Sequence, residues 1–297
     1  MEKYRDRFAP SLSLVQESGT ITIACESASS NRSLPASSEE SALALVALSP
    51  LLSECTEIGR LEHLTFHQAL ALSVLVALDR FSRLVLPASQ PALSQNPGLS
   101  ATPEMVGPHG YLPIPSFAAG TADYVAAALR DFNEQDVHAL VVDLRGNGGG
   151  LVTEISQVLG HFCSPGTHLF SVRGRAASNS ADHTATGSDL VPNASIAVLV
   201  DRSTTSGGEL AALALRQLRR TPIVGEPTAG YEAIQTVYPL GNGWGAAITT
   251  AVWIAPGNAR IPETGVLPNV LVEPEDDPPT AAAVDHALAR ALELLPD

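Results

Sequence analysis

The clearest pattern lies in the second half of the chain, where short apolar runs alternate with amphipathic stretches. Ala139-Leu140-Val141-Val142-Asp143-Leu144 is continuously apolar up to its aspartate and is followed by a glycine-rich turn. A run of that length bounded by a turn reads as a strand buried on both faces. Ile196–Val200 repeats the pattern and leads into the polar turn Asp201-Arg202-Ser203-Thr204-Thr205-Ser206-Gly207-Gly208. Leu210–Leu218 then carries Ala and Leu at helical spacing and ends in Arg219-Arg220, cations that suit the negative end of a helix. Around these, the spacing predicts helices over Ala119–Glu134, Leu151–Cys163 and Pro279–Leu295. Strands are predicted over Leu169–Arg173 and Thr221–Gly225, with a hairpin of Thr236–Leu240 and Ala246–Ile254 around Gly241-Asn242-Gly243. Residues 174–193 read as a polar loop. Tyr111–Pro115 reads as an edge-like strand, because two prolines exclude a central position. Strands alternating with helices from about 110 to 240 predict a largely parallel α/β core.

The first third is patterned differently. Residues 1–40 are rich in serine, with one short strand expected at Thr20–Ala24. Glu39–Leu52 and Leu61–Leu78 have apolar positions at helical spacing and are expected to pack together. Residues 87–108, rich in Pro, Ala, Ser, Gln and Asn, read as a linker. The expected organisation is an N-terminal helical subdomain over 1–86, a linker over 87–108 and an α/β core over 109–297.

Charge narrows the function classes. Acidic residues outnumber basic ones 31 to 17 among 297 residues, for a net charge of −14. Such a surface argues against nucleic acid and anionic membranes as partners. Cys25, Cys55 and Cys163 are an odd, scattered set, which argues against a disulfide framework or a zinc site. His63 and His67 share one helical face, but nothing nearby completes a metal site, so no metal is expected. The longest apolar runs, Ala42–Leu48 and Ala69–Leu78, are too short to span a bilayer. The charge-mixed N-terminus does not read as a secretory signal, so a cytoplasmic protein is expected. Homo-oligomerisation is left open.

Two turns carry the candidate chemistry. Gly146-Asn147-Gly148-Gly149-Gly150 is not a dinucleotide fingerprint, because position 151 is Leu, and the chain has no Gly-Lys-Ser/Thr triplet for a phosphate loop; no cofactor is expected. Such a turn still lets backbone N–H groups approach a ligand closely. Ser206 stands at a predicted helix N-terminus. By itself that position fits first a capping serine; the sharper reading is a nucleophile whose developing charge meets backbone donors. An α/β-hydrolase elbow is disfavoured, since position 204 is Thr where that motif needs Gly.

In order along the chain stand Leu78-Asp79-Arg80-Phe81-Ser82, Gly110–Phe117, Asp143–Gly150, Leu199–Glu209, Gly225–Gly230 and Gly265-Val266-Leu267-Pro268-Asn269. Together they resemble the C-terminal processing (tail-specific) serine peptidases and their tricorn-core-like and nisin-resistance-protein-like relatives. The resemblance implies a crotonase-like α/β core with Ser206 as nucleophile. It implies an oxyanion hole from the N–H of Gly207 and one of Gly148 or Gly149. The departures are as informative. The catalytic lysine of the tail-specific branch falls at position 231, which is Tyr. The histidine of other branches falls at Phe81. Only residues 83–108 stand where the family carries a PDZ domain. The base candidates are then His109, just before the first core strand, with Glu209 either orienting a base or simply favouring the helix N-terminus, and Tyr231 as proton donor or substrate contact; His63 and His67 are reserves. Two readings follow. One is a serine hydrolase or acyl-transfer enzyme acting on a peptide or other small acyl substrate. The other is a non-proteolytic member that binds an apolar small molecule, or runs non-hydrolytic chemistry on it.

Overall fold

The computed structural model describes residues 81–85, 102–174, 177–241, 244–272 and 285–296, and the backbone of three strands between 13 and 33. The chain divides into two units: residues 1–89 with 237–248, and residues 90–236 with 249–297. In the first, β1 (Ser13–Glu17), β2 (Thr20–Cys25) and β3 (Ala28–Ser33) form an antiparallel sheet in sequence order. The single strand expected at Thr20–Ala24 is therefore the middle of three. In the same unit β4 (Arg83–Val85) pairs antiparallel with Gly245–Ala247. The two helices expected at Glu39–Leu52 and Leu61–Leu78, with His63 and His67, lie outside the described residues.

The larger unit is built on a six-stranded sheet. Its strands are β5 (Glu104–Val106), β6 (His109–Pro113), β7 (Ala139–Asp143), β10 (Ser195–Val200), β11 (Ile223–Gly225) and β14 (Val270–Leu271). In space they run β14-β11-β10-β7-β6-β5, all parallel except β5. Three helices connect them: α1 (Thr121–Glu134), α2 (Val152–Gly160) and α3 (Gly207–Arg219). β8 (His168–Gly174) and β9 (Ala181–Thr184) pair antiparallel, and β8 pairs with Ala251–Ile254 of β13 (Trp244–Ile254), whose hairpin partner is β12 (Ala233–Gly241).

Alternation along β7 and β10 explains why both are continuously apolar. Leu140, Val142, Ile196, Val198 and Val200 join the large core formed with α1, α2 and α3. Ala139, Val141, Ala197 and Leu199 face the other way, onto Ala291 and Leu295 in and just after α4 (His286–Leu292). Because neither face meets water, both strands stay apolar from Ala139 and Ile196 until they end, and the next polar residues, Asp143 and Asp201, mark the C-terminal edge of the sheet. No helix among the described residues is long and apolar enough to cross a membrane.

Four further expectations are corrected. β6 is an interior strand, not an edge strand: it lies between β5 and β7. Pro113 is tolerated there because β5 pairs only as far as Tyr111, so no ladder bond is asked of the proline nitrogen. The segment read as a linker contains β5. The loop read over 174–193 contains β9, whose exposed, polar residues give no hydrophobic alternation. The closing helix begins at His286, capped by the Asp285 side chain on the Leu288 N–H, while residues 279–284 lie outside the described set.

Candidate active site

The site is assembled where β7 and β10 end side by side. Asp201 turns the chain as it leaves β10. Its Oδ1 accepts from the N–H groups of Ser203 and Thr204, and from Gly146 in the neighbouring turn at 3.0 Å. The fully buried Thr204 hydroxyl donates to Leu144 O at 2.8 Å, and the Thr205 N–H donates to Asn147 O at 2.9 Å. The polar turn and the glycine turn are thus sewn into one unit. Asn147, also fully buried, braces the glycine turn from within: its Nδ2 donates to Ile114 O at 2.7 Å and its Oδ1 accepts the Gly149 N–H at 2.8 Å. Phe117 clasps the outer side, taking the Leu151 N–H and giving its own to Gly149 O.

Ser206 follows, at the N-terminus of α3, with φ 53° and ψ −116°. A serine held at positive φ stores strain of about 1–3 kcal/mol. The turn imposes it: the Ser206 N–H donates to Glu209 Oε2 at 2.9 Å, and Gly207 is packed against Ile155 so closely that an added Cβ would lie 2.4 Å from Ile155 Cδ1. The consequence is a half-buried hydroxyl raised clear of its strand at the positive end of a helix dipole. The Gly207 and Gly148 N–H groups donate to no acceptor among the described residues. An added Cβ on Gly149 would lie 2.9 Å from Gly207 N and 3.4 Å from Ser206 Oγ, so the missing side chain at 149 keeps open the space in front of both.

Glu209, fully buried, takes four donors. Its Oε1 accepts the Thr228 hydroxyl and the Gly230 N–H at 2.7 Å; its Oε2 accepts the N–H groups of Ser206 and, at 2.7 Å, Tyr231. One carboxylate therefore pins the serine backbone to the 228–231 loop. A further side chain reaches the serine hydroxyl. Trp253 of β13, 2% exposed, directs its indole N–H at Ser206 Oγ over 3.4 Å. Its ring is held edge-on by Phe170 at 5.7 Å between centroids, and its backbone N–H donates to Glu232 O at 3.0 Å.

This arrangement of strand, strained serine and facing glycine turn coincides with a sequence match. Residues 108–272, more than half of the chain, match the family model described as peptidase family S41. The chain belongs to peptidase family S41. Among its relatives, the carboxy-terminal-processing protease of Bartonella bacilliformis is 32% identical over 171 residues, covering 56% of this chain and 39% of that protein. The solved structure of a photosystem II D1 C-terminal processing protease superposes with a TM-score of 0.50 at 29% identity, over 65% of this chain and 48% of that one. A lipoprotein from Streptococcus agalactiae shares the fold, with a TM-score of 0.57 at 17% identity over 89% of this chain and 98% of that one. The chain spans 34% to 39% of the length of three curated relatives that it matches.

Within this S41 core the candidate residues sort as follows. Ser206, Gly207, Glu209 and the Tyr231 backbone are brought together, and Gly148 stands one residue before the glycine that faces them. Gly149 adjoins the serine, but its N–H is occupied by Asn147, so its contribution is the empty space beside the hydroxyl rather than a donor. That corrects its assignment as an oxyanion donor; the Gly148 N–H stays uncommitted among the described residues. His109 is also corrected. It opens β6 next to Ala139 in register, whereas the site lies beyond Asp143, roughly 13 Å further along the sheet at about 3.3 Å per residue. There its Nε2 meets Pro296 O at 3.0 Å, fastening the C-terminal segment. Glu209 is placed as an anchor and has no imidazole against it among the described residues: its four donors there come from Ser206, Thr228, Gly230 and Tyr231. A Ser–Lys pair is excluded within the described residues by composition, since the sequence holds a single lysine, Lys3. Trp253 was not anticipated. The available signal was a tryptophan inside an apolar strand, whose buried N–H has to find a partner, but strand pairing rules do not connect position 253 to position 206.

Proposed function

We propose that this S41 chain is a serine hydrolase acting on peptide bonds, with Ser206 as nucleophile in a crotonase-like core. Ser206 Oγ adds to the substrate carbonyl carbon and its proton passes to a base. The carbonyl π electrons move onto oxygen, and that oxyanion is received by the N–H groups of Gly207 and Gly148. Collapse expels the amine, which takes a proton, and leaves an acyl-enzyme for water to hydrolyse. The observation that carries this reading is the strained Ser206 at φ 53° with the uncommitted Gly207 N–H beside it. Ser206 and Glu209 do form a capping box, but a cap requires neither the strain nor an open space at Gly149. Preorganised amides of this kind contribute about 3–4 kcal/mol each to the transition state. The direct test is a fluorophosphonate probe on the purified protein. Stoichiometric labelling of Ser206 that vanishes in Ser206→Ala supports the reading; a folded wild type that stays unlabelled overturns it.

A further inference from the structure

We propose that Trp253 is a positioning residue for the nucleophile: its indole N–H holds Ser206 Oγ by a lone pair and so dictates where the hydroxyl proton points. An indole nitrogen donates and never accepts. The contact over 3.4 Å can therefore run in one direction only, with Oγ as acceptor. The Ser206 proton is left out of that bond and faces away from the tryptophan, available to a base. The same bond supports negative charge on Oγ as the proton leaves, and it shortens as that charge grows.

The mounting of Trp253 fits such a task. It is buried, it lies opposite Val172 in the β8–β13 ladder, and Phe170 packs on its ring in a T-shaped pair. Its backbone N–H bonds Glu232, the residue after Tyr231. Tyr231 in turn donates to the Glu209 oxygen that holds the Ser206 N–H. The segment from Thr228 to Glu232 thus fixes Ser206 twice, its backbone through Glu209 and its hydroxyl through Trp253. A nucleophile without a lysine partner gains most from such a clamp, because the direction of its proton is otherwise unset.

The kinetic part rests on the hydrolase reading; the bond itself does not, and the test separates them. The chain has two tryptophans, Trp244 and Trp253, so a 15N-labelled sample gives two indole N–H resonances. Ser206→Ala is expected to move one of them, the one that Trp253→Phe removes, and to leave the Trp244 resonance in place. In the labelling assay, Trp253→Phe, which keeps a ring against Phe170, is expected to lower the rate about tenfold, the value of one hydrogen bond, while the endpoint stays stoichiometric. Benzothienylalanine at 253, the same shape with sulfur for N–H, is expected to be as slow as Phe. An unmoved Trp253 resonance in Ser206→Ala overturns the proposal. So does benzothienylalanine labelling at the wild-type rate, which would make Trp253 a packing residue only. A wild type that shows the resonance shift but takes no label would overturn the hydrolase reading and leave the clamp standing.

Discussion

Ser206 carries its strain for a geometric purpose, and that separates its two roles experimentally. Glycine adopts φ 53° freely, and a glycine N-cap weakens a helix by only a few tenths of a kcal/mol. Ser206→Gly is therefore expected to raise stability by about 1 kcal/mol in urea denaturation while abolishing probe labelling; a loss of stability would show that the hydroxyl serves mainly as a cap. Glu209 behaves oppositely. Glutamine in its place turns one acceptor oxygen into an NH2 that faces N–H donors, inside a fully buried pocket. Glu209→Gln is expected to cost about 2–4 kcal/mol and to slow labelling, because the serine backbone loses its anchor. The type of residue at each of these positions was legible from the order of the motifs. What Glu209 does was not: the sequence places it one helical turn from Ser206, and only the fold brings Thr228, Gly230 and Tyr231 to its other side.

At the scale of elements, the site is a junction of α2 and α3 across the glycine turn. Gly207 and Ile155 are the point of contact. Gly207→Ala is expected to destabilise by about 1–3 kcal/mol through overpacking, and Ile155→Ala added to it is expected to recover part of that loss, a coupling that a double-mutant cycle measures. A second element has a pH signature. His183 on β9 stacks on Phe170 at 4.4 Å, and burial lowers its pKa below the ordinary histidine value, against the opposing pull of Asp182. The folded state then favours the neutral ring, so its contribution is fully present above about pH 6.5 and declines as pH falls below that value, where the unfolded chain takes up the proton. The stability difference between wild type and His183→Gln is expected to shrink from pH 7.5 to pH 5.5; a difference constant with pH would refute the assignment. β9 itself escaped the sequence reading because exposed, polar strands on a sheet edge carry no apolar period.

At the scale of the whole molecule, the candidate site lies at one end of the parallel sheet. The strands' C-terminal ends carry both turns, while His109 at the other end ties down the C-terminal segment through Pro296. His109→Ala is expected to leave the labelling rate unchanged and to loosen residues 285–296, seen as faster amide exchange there; a labelling rate that collapses with the fold intact would return His109 to the site.

The sequence by itself determined the elements and their order. Strands buried on both faces must be apolar until they end, and the turns beyond them must be polar or glycine-rich, so β7, β10, α3 and the two turns are written locally. It also marked Ser206 as the candidate nucleophile and placed a tyrosine, not a lysine, at 231. The tertiary structure decided which groups meet. It removed His109 from the site, committed the Gly149 N–H to Asn147, turned Glu209 into an anchor and brought Trp253 to the serine hydroxyl. Each of these depends on register and packing between segments distant along the chain, contacts that no local period encodes.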